Sequence, residues 1–121
     1  MVGRLGTHAD ILMTESVLGR ILETMDSMLL DSDNAAVFLT GDECTDEDGR
    51  YFVVKGISDK DGLGLCLASS EGGTEPTESD ISLFKRNVGT GIMMKVDVFS
   101  HQFSLYRIDD EIADATVLFT E

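Results

Sequence analysis

The sequence has no tryptophan, one proline, two cysteines, two histidines and nine basic residues, and each scarcity removes a class of protein. Nine cations against 23 acids make nucleic acid and anionic membranes poor partners, because their phosphates would be repelled. No apolar run approaches the roughly 20 residues that a bilayer span requires. Met1 to Arg4 lacks an uninterrupted apolar segment, so a secretory leader is not expected. Cys44 and Cys66 are too few for a disulfide framework, and the expectation is a reduced, cytoplasmic chain. With two histidines 93 residues apart, His8 and His101, no local metal or triad pattern forms.

What remains is a chain of 121 residues, 42% hydrophobic, with mean hydropathy +0.03 and a formal net charge of -14. That length suits one domain over residues 1–121, with 1–10 weakly ordered. It should bury about two-thirds of its surface, enough for a core without staples. The acidic surplus suits a salt-rich cytoplasm or a face that steers a partner, and composition does not separate the two. Either way the like charges repel, so added salt should stabilise the fold.

Hydrophobic periodicity supplies the elements. Ile11-Leu12-Met13 reads as an edge strand. Thr14 then caps a helix reaching residue 29, with Val17, Leu18, Ile21, Leu22, Met25, Met28 and Leu29 on one face. Gly19 weakens that helix, and its missing side chain suggests a close packing contact. Ala35 to Gly41 and Tyr51 to Ile57 read as a hairpin around a polar turn, Asp42 to Arg50, that carries five acids. Leu63 to Ala68 is a third strand. Pro76 and Thr77 open a second helix, 78–87, ended by Gly89 and Gly91. Ile92 to Phe99 and Phe103 to Ile108 form another hairpin, and Thr116 to Phe119 adds a last strand. The order α-β-β-β-α-β-β-β gives an α+β domain, its sheet covered by helices.

Most residues that might carry chemistry have plain readings. Neighbouring carboxylates dull Cys44, and Cys66 is a core thiol. The acids of 42–48 fail the spacing of a calcium loop, since Glu47 stands where glycine is needed. Gly62-Leu63-Gly64 is followed by neither lysine nor a helix, so it is no phosphate loop. Five methionines (Met13, Met25, Met28, Met93 and Met94) either fill the core or supply an adaptable apolar surface.

The segment Gly64 to Asp80 is the informative one. Gly64-Leu65-Cys66-Leu67-Ala68-Ser69-Ser70, followed by Pro76-Thr77-Glu78-Ser79-Asp80, resembles the zinc motif of the JAMM/MPN metalloprotease-like family. That motif reads G-W-Y-H-S-H-P, then P-S-x-x-D opening a helix. The strand Val37-Phe38-Leu39-Thr40-Gly41 and the end Tyr106-Arg107-Ile108 resemble further family patterns, so the likeness spans residues 11–121. It implies a mixed, mostly antiparallel sheet flanked by helices, the three-layer arrangement of MPN and cytidine-deaminase folds. It also places Leu67 and Ser69, 13 and 11 residues before Asp80, at the two zinc histidines. Asn34 falls at the family's general base, and Thr77 at the groove position that caps the helix.

Those departures remove the family's chemistry. Catalytic zinc takes about three protein ligands and an open position for water. Leu67 has no donor atom, Ser69 is a poor ligand, and Asp80 alone does not hold zinc. Asn34 cannot take a proton from water at neutral pH, and Asp33 would need a shift of register. The expectation is a non-catalytic MPN-like interaction or scaffold module, without cofactor or metal, that pairs with a protein partner or a second copy. Two alternatives stay open: a hydrolase reusing the groove with different ligands, and a roadblock-like or other small α+β regulatory or sensor module.

Overall fold

The computed structural model describes residues 9–47 and 49–120, so residues 1–8 of the expected weakly ordered start, including His8, lie outside the described residues. Helix α1 (Glu15–Met28) begins where the Thr14 side chain accepts the Val17 N–H at 3.1 Å, with Glu15 favoured by the helix dipole in the first turn. Ile21 and Met25 are fully buried, with Val17, Leu18, Leu22, Met28 and Leu29 packed around them. Helix α2 (Glu78–Asn87) starts at a reciprocal cap: Thr77 accepts the Asp80 N–H at 3.1 Å, and the Asp80 carboxylate accepts the Thr77 N–H at 2.9 Å. Gly89, at φ +89°, ends it by donating to the Phe84 carbonyl. Neither helix is long and apolar enough to cross a membrane.

Among the described residues the strands are β1 (Ile11–Thr14), β2 (Asn34–Asp46), β3 (Gly49–Ser58), β4 (Gly64–Ser69), β5 (Gly91–Asp97), β6 (Gln102–Ile108), β7 (Ile112–Asp114) and β8 (Val117–Thr120). They form one sheet in the order β7-β6-β5-β4-β2-β3-β1-β8. Three neighbour pairs run parallel (β1–β3, β1–β8, β4–β5) and four antiparallel. The architecture is the expected α+β mixed sheet flanked by helices. Alternation along β4 divides the layers. Cys66 and Ala68 join the core under α1, while Leu65 and Leu67 join Phe84 of α2 on the opposite face.

The structure corrects several expectations. Ile11 to Met13 is no edge: β1 is paired on both sides, and Ile11 and Met13 are buried, because β8 returns to lie outside it. The element order therefore opens with a strand and also gains β7. The expected turn over 42–50 is mostly strand. Asp42 to Asp46 pairs with residues 49–53, and Glu47 and Asp48 alone connect the two, Asp48 being outside the described residues. An acid-rich segment can stay in a ladder because its backbone bonds are made there while its carboxylates reach water or a cation. Lys55 meets Asp42 at 2.6 Å, and Arg50 meets Glu43 at 3.4 Å.

Gly41 does not end β2 but marks a shift of register within it. A Cβ there, at φ +156°, would lie 1.8 Å from the Val53 carbonyl oxygen. Gly19 makes no close contact, since a Cβ at that position would meet nothing within 4 Å. Four of the five methionines are buried, so they fill the core rather than forming a surface. The stretch 56–73, where a roadblock-like module would carry a long helix between its second and third strands, holds no helix.

Candidate functional site

The sheet face under α2 is only partly covered. β4 offers Leu65, Leu67 and Ser69 to that face by alternation, and β2 offers Asn34, Ala36 and Phe38. α2 rests Phe84 and Leu83 on the apolar part, joined by Val88 just past its end. Its N-terminal turn stands over the polar part and leaves two adjoining clefts. One, of about 540 Å³, is lined by Asp33, Asn34, Ser69, Ser70, Glu71, Thr77, Ser79, Asp80 and Lys95. The other, of about 410 Å³, is lined by Asn34, Ala35, Ala36, Leu67, Ala68, Ser79, Asp80, Leu83 and Arg86. Asn34, Ser79 and Asp80 belong to both. The structure thus gathers all five residues singled out in the sequence: Ser69 and Thr77 in the first cleft, Leu67 in the second, Asn34 and Asp80 in each.

The loop between β4 and α2 is pinned at several points. Ser70 N–H donates to the Asp33 carbonyl at 2.8 Å, joining the starts of the loop and of β2. The Tyr106 hydroxyl donates to the Thr74 carbonyl at 2.8 Å. Asp97 accepts the Phe99 N–H at 3.0 Å, and this bond, helped by the Gly73 and Ser100 amides, holds its carboxyl below the usual range. The rim is therefore tied to β5 and β6 rather than hanging over the cleft.

One residue of the site carried no signal in the motif. Lys95 of β5 is 3% exposed, the buried charge among the described residues, and its ammonium lies 2.5 Å from the Asp80 carboxylate. The same Asp80 oxygen accepts the Thr77 N–H, so it serves both helix cap and ion pair. In the parallel β4–β5 register Lys95 stands directly beside Leu67. A sequence signal did exist: a lone lysine inside Ile92-Met93-Met94-Lys95-Val96, a strand otherwise apolar on both faces, has to find a buried counter-charge.

This donor set does not fit zinc. Leu67 contributes no ligand atom, and among the described residues no three His, Cys, Asp or Glu side chains are grouped to hold a metal. No histidine or cysteine lines either cleft. His101 lies at the β5–β6 turn, 3.1 Å from Asp26 of α1. Cys66 is sealed in the core, where burial pushes its thiol up to about 12, and Cys44 lies out on the β2–β3 arm.

No protein-family model matches this sequence, and no curated protein matches it significantly. Solved structures do. The chain is similar to the one described as "JAMM: A Metalloprotease-like Zinc Site in the Proteasome and Signalosome", with TM-score 0.58 and 21% identity over 93% of this chain and 99% of that one. The fold is that of the JAMM/MPN domain. A JAB1/MPN domain protein from Archaeoglobus fulgidus matches at TM-score 0.58 and 19% identity, with the same coverage of both chains. A protein from Desulfitobacterium hafniense, determined in solution, matches at TM-score 0.66 and 14% identity, over 92% of this chain and 93% of that one. At these identities the likeness is one of fold, and the cleft has to be read from its own residues.

Proposed function

We propose that this is a non-catalytic MPN-like module that works by docking another protein or a second copy of itself, in the cytoplasm. Leu67, Ser69 and Asn34 are, on this reading, the altered positions of a zinc hydrolase site, and Asp80 is the position retained. The observation that carries it is the commitment of Asp80. The one strong ligand left at those positions is engaged by Lys95 and by the helix cap, beside a leucine that cannot coordinate. The base position holds Asn34, which has no proton affinity to activate water. A hydrolase reusing the cleft with other groups would need a nucleophile beside a base. The hydroxyls there, Ser69, Ser70, Thr77 and Ser79, share it with carboxylates and with Lys95, whose ammonium is held by Asp80, and no imidazole lines it among the described residues.

Docking is supported by apolar side chains left in water. Leu30, just past α1, is 83% exposed, and Phe99, in the turn after β5, is 74% exposed. The outer edge of β8 adds a half-exposed Leu118.

The purified protein is expected to carry no stoichiometric zinc and to leave an isopeptide-linked substrate intact; about one zinc per chain, lost in Asp80→Asn, would overturn the non-catalytic reading. Sedimentation from low to 1 M KCl, where charge repulsion is screened, separates the docking modes. Concentration-dependent dimers indicate a second copy. A monomer throughout leaves a different protein as the partner, and Leu30→Ser with Phe99→Ser should then weaken its capture.

A further inference from the structure

We propose that the Lys95 ammonium takes the metal's place at Asp80, tying the start of α2 to the sheet and closing the cleft to divalent cations. This rests on reading the cleft as an altered metal site and adds what replaced the metal.

The argument starts from burial. A lysine 3% exposed needs a counter-charge, and Asp80, whose side chain is 15% exposed, supplies it at 2.5 Å. Lys95 comes from β5, one strand over from the position of the first zinc histidine, and is in direct register with Leu67 there. Neighbouring strands are spaced by about 4.8 Å, so the lysine stem and Leu67 fill the floor side by side. The ammonium therefore reaches the third ligand position from beside the first.

The requirements of the two cations differ. Zinc needs several donors in a fixed geometry, whereas an ammonium is a compact point charge on a flexible stem that one carboxylate suffices to hold. Once Lys95 neutralises Asp80, donors at 67 and 69 have no task, and an aliphatic residue at 67 improves the packing around the stem. A dication seated at Asp80 would meet a fixed positive charge within a few ångströms. It would also have to displace the lysine from its acceptor, Asp80.

Restoring ligands tests this. Zinc binding is measured by elemental analysis after gel filtration and by competition with a chromogenic chelator, on three proteins. These are the wild type, Leu67→His with Ser69→His, and that pair with Lys95→Met. The pair that keeps Lys95 should bind zinc at least about 100-fold more weakly than the triple variant, because the ammonium opposes the ion at short range. The triple variant should hold about one zinc per chain, the single open site expected of this ligand set, and lose it on Asp80→Asn. Equal zinc affinity with and without Lys95 would overturn the proposal, as would a folded triple variant that binds none. If the Met variant fails to fold, Lys95→Gln, which keeps a donor for Asp80 without the charge, replaces it in the same comparison. Zinc on the wild type would defeat the non-catalytic reading itself, so the two failures remain distinct.

Discussion

The two faces of the sheet are built differently. Under α1 fifteen buried residues form one continuous apolar core, drawing on every strand from β1 to β6. Under α2 the buried cluster has six, and beyond it the sheet carries a buried charge pair and two polar clefts. α1 has 14 residues and reaches along its face; α2 has 10 and covers only part of the other. One face is held by non-directional burial and tolerates no polar group without loss. The other adds one specific ion pair to a smaller apolar cluster and leaves concave surface beside it.

The sharpest way to break this comparison is Lys95→Met. Removing the ammonium from Asp80, which is 15% exposed and still accepts the Thr77 N–H, should cost at most about 3 kcal/mol, read by chemical denaturation. Adding Asp80→Asn should recover most of that loss. If the two substitutions were simply additive, the face under α2 would not hinge on the pair. On the opposite face Met25→Ala should cost about 2–5 kcal/mol, and no second substitution at a single partner should repair it, since its contacts are spread over many neighbours.

The third experiment concerns the acidic surface that both faces share. Raising KCl from 0.05 to 2 M should lift the melting temperature by roughly 5 °C, the shift that about 1 kcal/mol produces in a domain of this size. A flat or falling trend would mean that local pairs such as Lys55–Asp42 already offset the repulsion. A smaller gain is expected from Gly19→Ala. The position is exposed in mid-helix and a Cβ there touches nothing, so stability should rise by about 0.5–1 kcal/mol.

The last effect is confined to the rim of the cleft. The Asp97 carboxyl is held below its ordinary 3.8, chiefly by the Phe99 amide. Its contribution is therefore present above pH 3.8 and is lost as pH falls through the lowered value. Asp97→Asn should be less stable than wild type at neutral pH, and the gap should close in strong acid. A gap unchanged by pH would show that the side-chain shape, not its charge, ties the loop.

Legibility followed locality. Thr14, Thr77 and the apolar spacing after each gave both helices almost to the residue, because caps and i, i+4 faces are decided within a few positions. The acidic arm was misread, since Asp42 to Asp46 looks like a loop until its partner, residues 49–53, is known. β1 was misplaced at an edge for the same reason: nothing in Ile11-Leu12-Met13 tells how many strands lie outside it. Of the candidate site, the motif spacing from Pro76 to Asp80 and back to Leu67 picked out residues that line the two clefts. Lys95 was missed because it belongs to no motif and comes from another strand.

By itself the sequence determined which donor side chains the chain has, where it caps its helices, and which short segments prefer strand or helix. These depend on side-chain donors and on neighbours a few residues away. Tertiary structure decided what meets in the cleft. It put β5 parallel to β4 and brought residue 95 beside residue 67 and up to residue 80. Lys95, which in isolation would remain hydrated, became a buried cation with one acceptor. The physical reason is that an ammonium gives up its water only where a folded framework already holds a carboxylate for it, and that framework is spread over two strands and a helix cap.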